Sequence, residues 1–169
     1  MLLHLLPLFA FGSFYADPFL RNVPAWAHDC AGVAIETKAP VSRGRASRWG
    51  PRGGGGNRTM AFAPGHVVER NMNVFAHRTL PRWTLACITN ETTGKTALGR
   101  VADRGPWGCV QDGVKVRVCR HASPQAYAGV ADLAWSLVVA LDHSGGRALV
   151  TIQPISVAPA TFRIKAPAS

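Results

Sequence analysis

Two strand-like runs joined by a tight turn constrain the fold of this chain more than any other feature. Residues 83–90 (WTLACITN) and 95–102 (KTALGRVA) are rich in Thr, aromatic and aliphatic side chains. The four residues between them read ETTG and end on Gly94, which supplies the positive φ that such turns require. This pattern predicts a β-hairpin in the middle of the chain.

The sequence after the hairpin predicts one helix and one further strand. Residues 131–142 (ADLAWSLVVALD) place leucines four positions apart, which predicts a short helix with Asp132 as a structural carboxylate at its positive end. Residues 147–157 (RALVTIQPISV) predict a closing strand, and Pro154 indicates that the outer half of this strand lies at an edge. At 169 residues without an internal repeat, the chain is about one domain long.

The N-terminal end has the features of an export signal. An apolar run over residues 2–16 precedes the triplet 25–27 (AWA), which is of the type that signal peptidase cuts after. Residues 1–27 are therefore predicted to be a signal peptide, with Ala16 as a second candidate cut and a buried N-terminal helix as the alternative. The run is shorter than the roughly 20 residues of a membrane span. We expect a secreted or periplasmic protein with no stable membrane span after signal removal.

Residues 28–57 and the C-terminal residues 158–169 carry little periodic pattern. Residues 28–57 are predicted to be an N-terminal segment ending in a flexible glycine-rich loop, since residues 48–57 read RWGPRGGGGN. Residues 158–169 are predicted to be a loosely held tail.

Four cysteines allow three pairings in an oxidising compartment. Cys109 and Cys119 flank a segment with a turn at Gln-Asp-Gly, which favours a local bridge and leaves Cys30 with Cys87. A zinc site is the rival interpretation, but no C-x-x-C or H-x-x-x-H spacing supports it. No metal and no cofactor are predicted.

The charge of the chain favours an anionic partner. The formal net charge is +10, from 19 Lys and Arg against 9 Asp and Glu. Nucleic acid, a membrane surface and an acidic wall polymer satisfy this charge equally well. The sequence lacks zinc-finger spacing, an RNP-like aromatic motif and a basic helix, so binding to nucleic acid is not predicted.

Several motifs in a fixed order carry a family resemblance. Residues 76–81 read AHRTLP, residues 89–95 read TNETTGK and residues 102–107 read ADRGPW, while residues 46–50 (ASRWG) and 131–134 (ADLA) stand where the family has A-S-x-Y-G and I-D-L-S. Together they resemble the rare lipoprotein A family of septal-ring lytic transglycosylases and, more distantly, expansins and barwins. The resemblance implies an all-β, six-stranded double-psi β-barrel with one or two short helices over residues 46–157.

The resemblance also implies cleavage of the glycan strand of peptidoglycan. In a lytic transglycosylase the C6 hydroxyl of the sugar attacks its own anomeric carbon and leaves a 1,6-anhydro end, so one carboxyl that acts first as acid and then as base can suffice. Asp103 is the expected acid, on a turn fixed by the following Arg-Gly-Pro. His77 is expected in the same groove, where an imidazole can orient the carboxyl or exchange a proton with it.

Five further residues are expected to bind substrate. His66 and Glu69 stand where many family members have a Glu and an Asp facing the groove, so the first acidic position is an imidazole in this chain. Arg104 is expected to contact the substrate, and Trp107 and Trp49 are the candidates for stacking on a sugar face. The expected partner is peptidoglycan or another anionic cell-wall polysaccharide. A non-catalytic protein of the expansin or barwin type, which binds or loosens polysaccharide, is the alternative.

Overall fold

The computed structural model describes residues 19–21, 30, 40–50, 59–111, 114–116, 129–143 and 147–155, and the side chains of 109–111 and 114–116 lie outside that description. The elements of these described residues are β1 (Ser42–Arg48), β2 (Thr59–Met60), β3 (Ala63–Val67), β4 (Val74–His77), β5 (Leu85–Asn90), β6 (Thr96–Asp103), β7 (Cys109–Gln111), β8 (Val114–Val116), β9 (Ala131–Leu133), α1 (Trp135–Ala140) and β10 (Ala148–Pro154). Strands dominate, which confirms the predicted all-β class.

Six of the strands close into a barrel in the order β1-β10-β5-β6-β4-β9. The pairs β4–β6 and β1–β9 are parallel, and the other neighbours are antiparallel. The predicted six-stranded barrel with a short helix is therefore confirmed. Strands β2 and β3 form one separate two-stranded sheet, and β7 and β8 form another.

The predicted central hairpin is formed by β5 and β6. Thr89 lies opposite Thr96 at its closed end, and the Gly94 N–H donates to the Asn90 carbonyl over 2.8 Å. Gly94 has φ +72°, the left-handed conformation that the sequence assigned to it. Residues with strand propensity on both sides of a turn-forming glycine thus form the hairpin as predicted.

The barrel interior is filled by apolar side chains that are almost completely buried. Phe75, Ile88 and Leu137 are each 0% exposed. A Cβ atom at Gly99 would lie 3.0 Å from Leu137 Cδ1 and 3.1 Å from Phe75 Cδ1, so a larger residue would have to displace these side chains by a few tenths of an ångström. The helix α1 contributes Leu137 to this cluster and thereby closes the barrel core.

The first and last barrel strands differ slightly from the predicted boundaries. β1 begins at Ser42, four residues before the predicted start of the barrel, and β10 ends at Pro154. Pairing with β1 extends only to Ile152, whereas Pro154 pairs with Ala86 of β5. Pro154 therefore lies beyond the part of β10 that has partners on both sides, as predicted for a residue without an N–H.

The helix predicted over residues 131–142 is shorter than expected. Ala131, Asp132 and Leu133 form β9, and α1 covers only Trp135–Ala140. Ala131 and Leu133 are 0% exposed and Asp132 is half-buried, which is the alternation of a strand with one buried face. Asp132 is therefore a strand residue and not a carboxylate at a helix terminus.

A second apolar cluster covers part of the outer face of the barrel. Val74 of β4 and Ala102 of β6 pack there with Met60, Val68 and Trp49. Phe75 points into the barrel core, so Val74 and Ala76 on either side of it point outwards. The sheet of β2 and β3 contributes Met60 and thus lies against this outer face, next to the end of β6.

A disulfide joins the N-terminal segment to the barrel. Cys30 and Cys87 of β5 are bonded with their Cα atoms 5.9 Å apart, as predicted. The glycine-rich loop predicted over residues 48–57 does not begin at Arg48, which is the last residue of β1, and Trp49 is buried. Residues 51–57 of that prediction lie outside the described residues, as do the predicted bridge between Cys109 and Cys119, the tail 158–169 and both candidate signal cuts. No helix of the described residues is long and apolar enough to span a membrane.

Candidate active site on the outer face of the barrel

Asp103 lies at the end of β6, where its carboxyl is half-buried. Its Oδ1 accepts hydrogen bonds from the Arg104 N–H over 2.7 Å and the Ala61 N–H over 3.3 Å. No described residue donates to Oδ2. Burial raises the pKa of Asp103 above the usual 3.8, although the two backbone hydrogen bonds act in the opposite direction. A carboxyl with a raised pKa retains its proton more readily and suits a general acid.

A second carboxylate lies on the same face, two strands away. Ala76 of β4 pairs with Asp103 on one side and with Asp132 on the other, and Asp132 pairs with Ser47 of β1. The register of β4 against β6 shifts between Phe75 and Ala76, so alternation along β6 does not by itself fix the side on which Asp103 lies. The hydrogen bond from the Ala61 N–H, between β2 and β3, places Asp103 on the outer face. Two strand spacings separate its Cα atom from that of Asp132 by about 10 Å. Ser47 Oγ donates a hydrogen bond to Asp132 Oδ1. We call Asp103, Ala76, Asp132 and Ser47 the carboxylate row.

Asp132 and Ser47 are site residues that the sequence did not indicate as such. The family resemblance matched the ADLA segment only to a helix start. For Asp132 the signal is the alternation of apolar and polar residues in Ala131-Asp132-Leu133, which has the period of a strand. This run is short and adjoins a helical pattern, so the helical period dominated the prediction.

The loop that follows Asp103 reaches the second carboxylate. Gly105 has φ +138°, and a Cβ built on it would lie 3.8 Å from Asp132 Oδ2 and 3.6 Å from Trp107 Cδ1. Trp107 is 43% exposed and lies at the edge of the row. Residues 104–107 therefore connect the two carboxylates and carry one of the predicted sugar-stacking residues.

Arg78 holds this loop in place. Its Nη1 donates to the Pro106 carbonyl over 3.2 Å and to the Gly129 carbonyl over 2.7 Å. Gly129 leaves room for this contact, because a Cβ there would lie 3.4 Å from Pro106 Cγ and 2.8 Å from the Arg45 carbonyl. Arg78 thus fixes the loop that follows Asp103 against the segment that precedes β9.

His77 does not share the groove with Asp103, which corrects the sequence expectation. It follows Ala76 in β4 and pairs with the core residue Ala131, so its side chain points to the opposite face of the barrel wall. The ring is 4% exposed, Nδ1 accepts from the Leu80 N–H over 3.1 Å, and Nε2 lies 3.1 Å from Ser42 Oγ. Burial lowers the pKa of His77 to about 4, with a further contribution from the charge of Arg78. This neutral imidazole stabilises the turn after β4.

Trp49 is also not in the position expected of it. It is 8% exposed and packs in the apolar cluster beside Met60 and Val68, so its ring has no free face for a sugar. Arg104 is exposed beside the carboxylate row, with its guanidinium carbon 5.6 Å from the centroid of the Phe62 ring. Substrate contact by Arg104 therefore stays a prediction, whereas the burial of Trp49 argues against its stacking on a sugar.

His66 of β3 and Glu69, which follows β3, both contact the N-terminal segment. The His66 ring centroid is 5.4 Å from that of Phe19, and Glu69 Oε1 is 3.6 Å from Arg21 Nη2. Both side chains are exposed apart from these contacts. The structure thus places both residues beside residues 19–21, and no contact among the described residues brings either of them to Asp103.

The described residues contain no group of three or more His, Cys, Asp or Glu side chains arranged to hold a metal ion. The chemistry that the site offers is that of two carboxyl groups, of which Asp103 has a raised pKa.

Comparison with models of protein families gives no match, and comparison with curated proteins gives no significant match.

Proposed function

We propose that this protein is a secreted lytic transglycosylase that cleaves the glycan strand of peptidoglycan, with Asp103 as acid and then base. This proposal rests on the half-buried carboxyl group of Asp103. Burial raises its pKa, and its Oδ2 accepts no hydrogen bond from the described residues. The motif resemblance around Asp103 supplies the substrate class, and the net charge of +10 suits an anionic wall polymer.

The reaction needs one proton to move twice. Protonated Asp103 donates its proton to the glycosidic oxygen as the bond to the anomeric carbon breaks. The C6 hydroxyl of the same sugar forms the new bond to that carbon, and the Asp103 carboxylate accepts the hydroxyl proton. The products are a 1,6-anhydro end and a free hydroxyl on the leaving sugar, and Asp103 returns to its protonated form.

Asp132 has a supporting role in this proposal. Its carboxyl group accepts a hydrogen bond from Ser47 Oγ, which fixes its position on the row. A negative charge at this distance from Asp103 can stabilise the positive charge that develops on the anomeric carbon. Trp107 and Arg104 flank the row and offer a ring face and a cation to the neighbouring sugars.

A non-cleaving wall-binding protein of the expansin or barwin type is the second candidate. It is favoured by the position of His77, which is locked to backbone N–H groups on the opposite face of the barrel wall and takes no part in proton transfer with Asp103. In that case the row would bind polysaccharide without breaking it.

The test is mass spectrometry of purified peptidoglycan after incubation with the protein. We expect fragments that end in 1,6-anhydro-muramic acid, and we expect Asp103→Asn to abolish them while the fold is retained. Activity should decline as the pH rises through the raised pKa of Asp103, because the acid must be protonated.

The matched control is Asp142→Asn. Asp142 pairs with Lys95 over 3.1 Å, next to the opposite end of β6, some seven residues or roughly 23 Å along the strand from Asp103. This variant should cleave normally. Anhydro products that persist in Asp103→Asn would exclude the assignment, and wall binding without any products would favour the second candidate.

A further inference from the structure

Two arginines lie at the β1 end of the carboxylate row. Arg45 of β1 is two residues before Ser47, and Arg147 immediately precedes β10. Ala46 and Ala148 form the last pair of the β1–β10 ladder, and both belong to the barrel core. Because neighbouring residues of a strand alternate between its faces, Arg45 points outwards, like Ser47. Arg147 stands one residue beyond the last pair, next to Ser47, and both arginines are exposed.

These two arginines differ from a third one on the same face of the sheet. Arg43 donates from Nε and Nη2 to the two carboxylate oxygens of Glu91 over 2.7 and 2.6 Å, and the Thr151 hydroxyl donates to the same carboxylate. Among the described residues, the guanidinium groups of Arg45 and Arg147 make no hydrogen bond and no ion pair. The charge of Arg43 is therefore neutralised within the fold, whereas the other two charges face solvent.

The backbone of Arg45 is fixed against the loop that follows the proposed acid. Its carbonyl accepts a hydrogen bond from the Val130 N–H over 2.8 Å. A Cβ built on Gly129 would lie 2.8 Å from the same carbonyl and 3.4 Å from Pro106 Cγ, so the three segments are in close contact. The base of the Arg45 side chain thus has a defined position relative to the loop after Asp103.

The outer face of the barrel therefore has an acidic part and a basic part. Strand pairing places Asp103, Ala76, Asp132 and Ser47 in that order across four strands, so Ser47 is three strand spacings or about 14 Å from Asp103. Arg45 lies about 7 Å from Ser47 along β1. A carboxylate on a ligand is repelled near the row and attracted by the guanidinium groups, whose planar forks match its geometry.

We propose that Arg45 and Arg147 form a carboxylate-binding subsite for the glycan strand whose scissile bond lies at Asp103. The identity of the ligand rests on the proposed function. Muramic acid is every second sugar of the strand, and it presents a carboxylate on its lactyl group or on the peptide attached to that group. Because these carboxylates recur with the disaccharide, binding one of them determines which glycosidic bond lies at Asp103.

The test measures binding of glycan strands to the full chain with Asp103→Asn, which removes turnover, at roughly physiological salt. Peptide-free strands are compared with the same strands after their carboxylates have been converted to amides. Each exposed ion pair contributes about threefold in affinity, so adding Arg45→Gln and Arg147→Gln should weaken binding to the carboxylate form about tenfold. Binding to the amide form should not change.

The matched control is the pair Arg70→Gln and Arg82→Gln in the same Asp103→Asn background. It removes two positive charges from exposed positions outside the row and should bind both forms of the strand like the parent. An equal loss of affinity in the two double variants would assign the effect to net charge and overturn the subsite. A loss that is as large with the amide form would overturn it as well.

Strands that still carry their peptides identify the source of the carboxylate. Loss of affinity in the Arg45→Gln/Arg147→Gln variant only with these strands would assign the subsite to the peptide. Loss only with peptide-free strands would assign it to the lactyl group, and loss with both would mean that either carboxylate is accepted. If neither kind of strand binds less tightly, the subsite is rejected.

Cleavage assays with Asp103 in place separate this proposal from the proposed function. Anhydro products that depend on Asp103, together with binding that does not depend on Arg45 and Arg147, would overturn the subsite and leave the enzyme. Binding that depends on the two arginines and on the carboxylates of the strand, with no products from any variant, would support the subsite and reject the transglycosylase.

Discussion

Adjacent residues of β4 face opposite sides of the barrel wall, and this determines which of them meets a substrate. Ala76 lies between the two carboxylates of the row, whereas His77 points into the barrel and accepts from two backbone N–H groups. This environment keeps the imidazole in its neutral form, because both burial and the charge of Arg78 disfavour its protonation. His77 therefore affects stability and not proton transfer.

The His77 environment predicts loss of stability in acid. The pKa is 6.5 in the unfolded chain and about 4 in the fold, so between these values the unfolded state binds more protons and stability falls as the pH falls. The loss amounts to about 3 kcal/mol. We expect urea denaturation of His77→Gln to show a lower stability at neutral pH and a much weaker pH dependence over this window.

His143, which is 3% exposed and whose pKa burial also lowers, should contribute in the same direction. The His143→Gln variant is therefore the comparison that separates the two imidazoles. A His77→Gln protein with the full pH dependence of the unchanged chain would contradict the assignment.

At the scale of elements, the sequence predicted what depends on local pattern and missed what depends on neighbouring strands. The β5–β6 hairpin was predictable because strand-forming runs and Gly94 act within one short segment. β9 was not, because its three residues are fixed by pairing with β1 and β4 at distant positions in the chain. The same limit explains the site. Asp103 was predicted from its own motif, whereas Asp132 becomes its neighbour only through the register of β4.

The loop after β6 predicts a separate test of the site. Arg78→Met removes both hydrogen bonds from Nη1 while it keeps the aliphatic part of the side chain. We expect a loss of about 2 kcal/mol in the free energy of unfolding. We also expect an approximately 100-fold slower release of anhydro products, because the acid moves relative to the glycan.

Arg70→Met is the matched control, because Arg70 is exposed and its substitution also removes one positive charge. It should alter neither quantity. Equal losses in both variants would assign the effect to net charge, and an Arg78→Met protein of normal activity would show that the loop needs no such support.

At the scale of the whole molecule, the N-terminal segment is part of the folded unit and not only an appendage to the barrel. Leu20 is 2% exposed and packs with Cys30, Cys87, Leu98 and Ile155 in a cluster on the barrel. The Cys30 N–H also donates to Thr96 Oγ1 over 3.0 Å. The disulfide thus holds residues that precede β1 against the β5–β6 hairpin whether or not residues 19–21 are present.

This disulfide predicts a large contribution to stability. It joins positions 57 residues apart, and closing a loop of that length restricts the unfolded chain by about 4 kcal/mol. We expect the double variant Cys30→Ser/Cys87→Ser to lose stability of that order in urea denaturation. The double variant is preferable to a reducing agent, because a reductant would also break the predicted bridge between Cys109 and Cys119. If residues 19–21 are held chiefly by their own contacts, hydrogen exchange at the Asn73 amide, which donates to Phe19, should stay slow in the double variant. Exchange as fast as in the unfolded chain would instead mean that the disulfide is what holds residues 19–21 against the barrel.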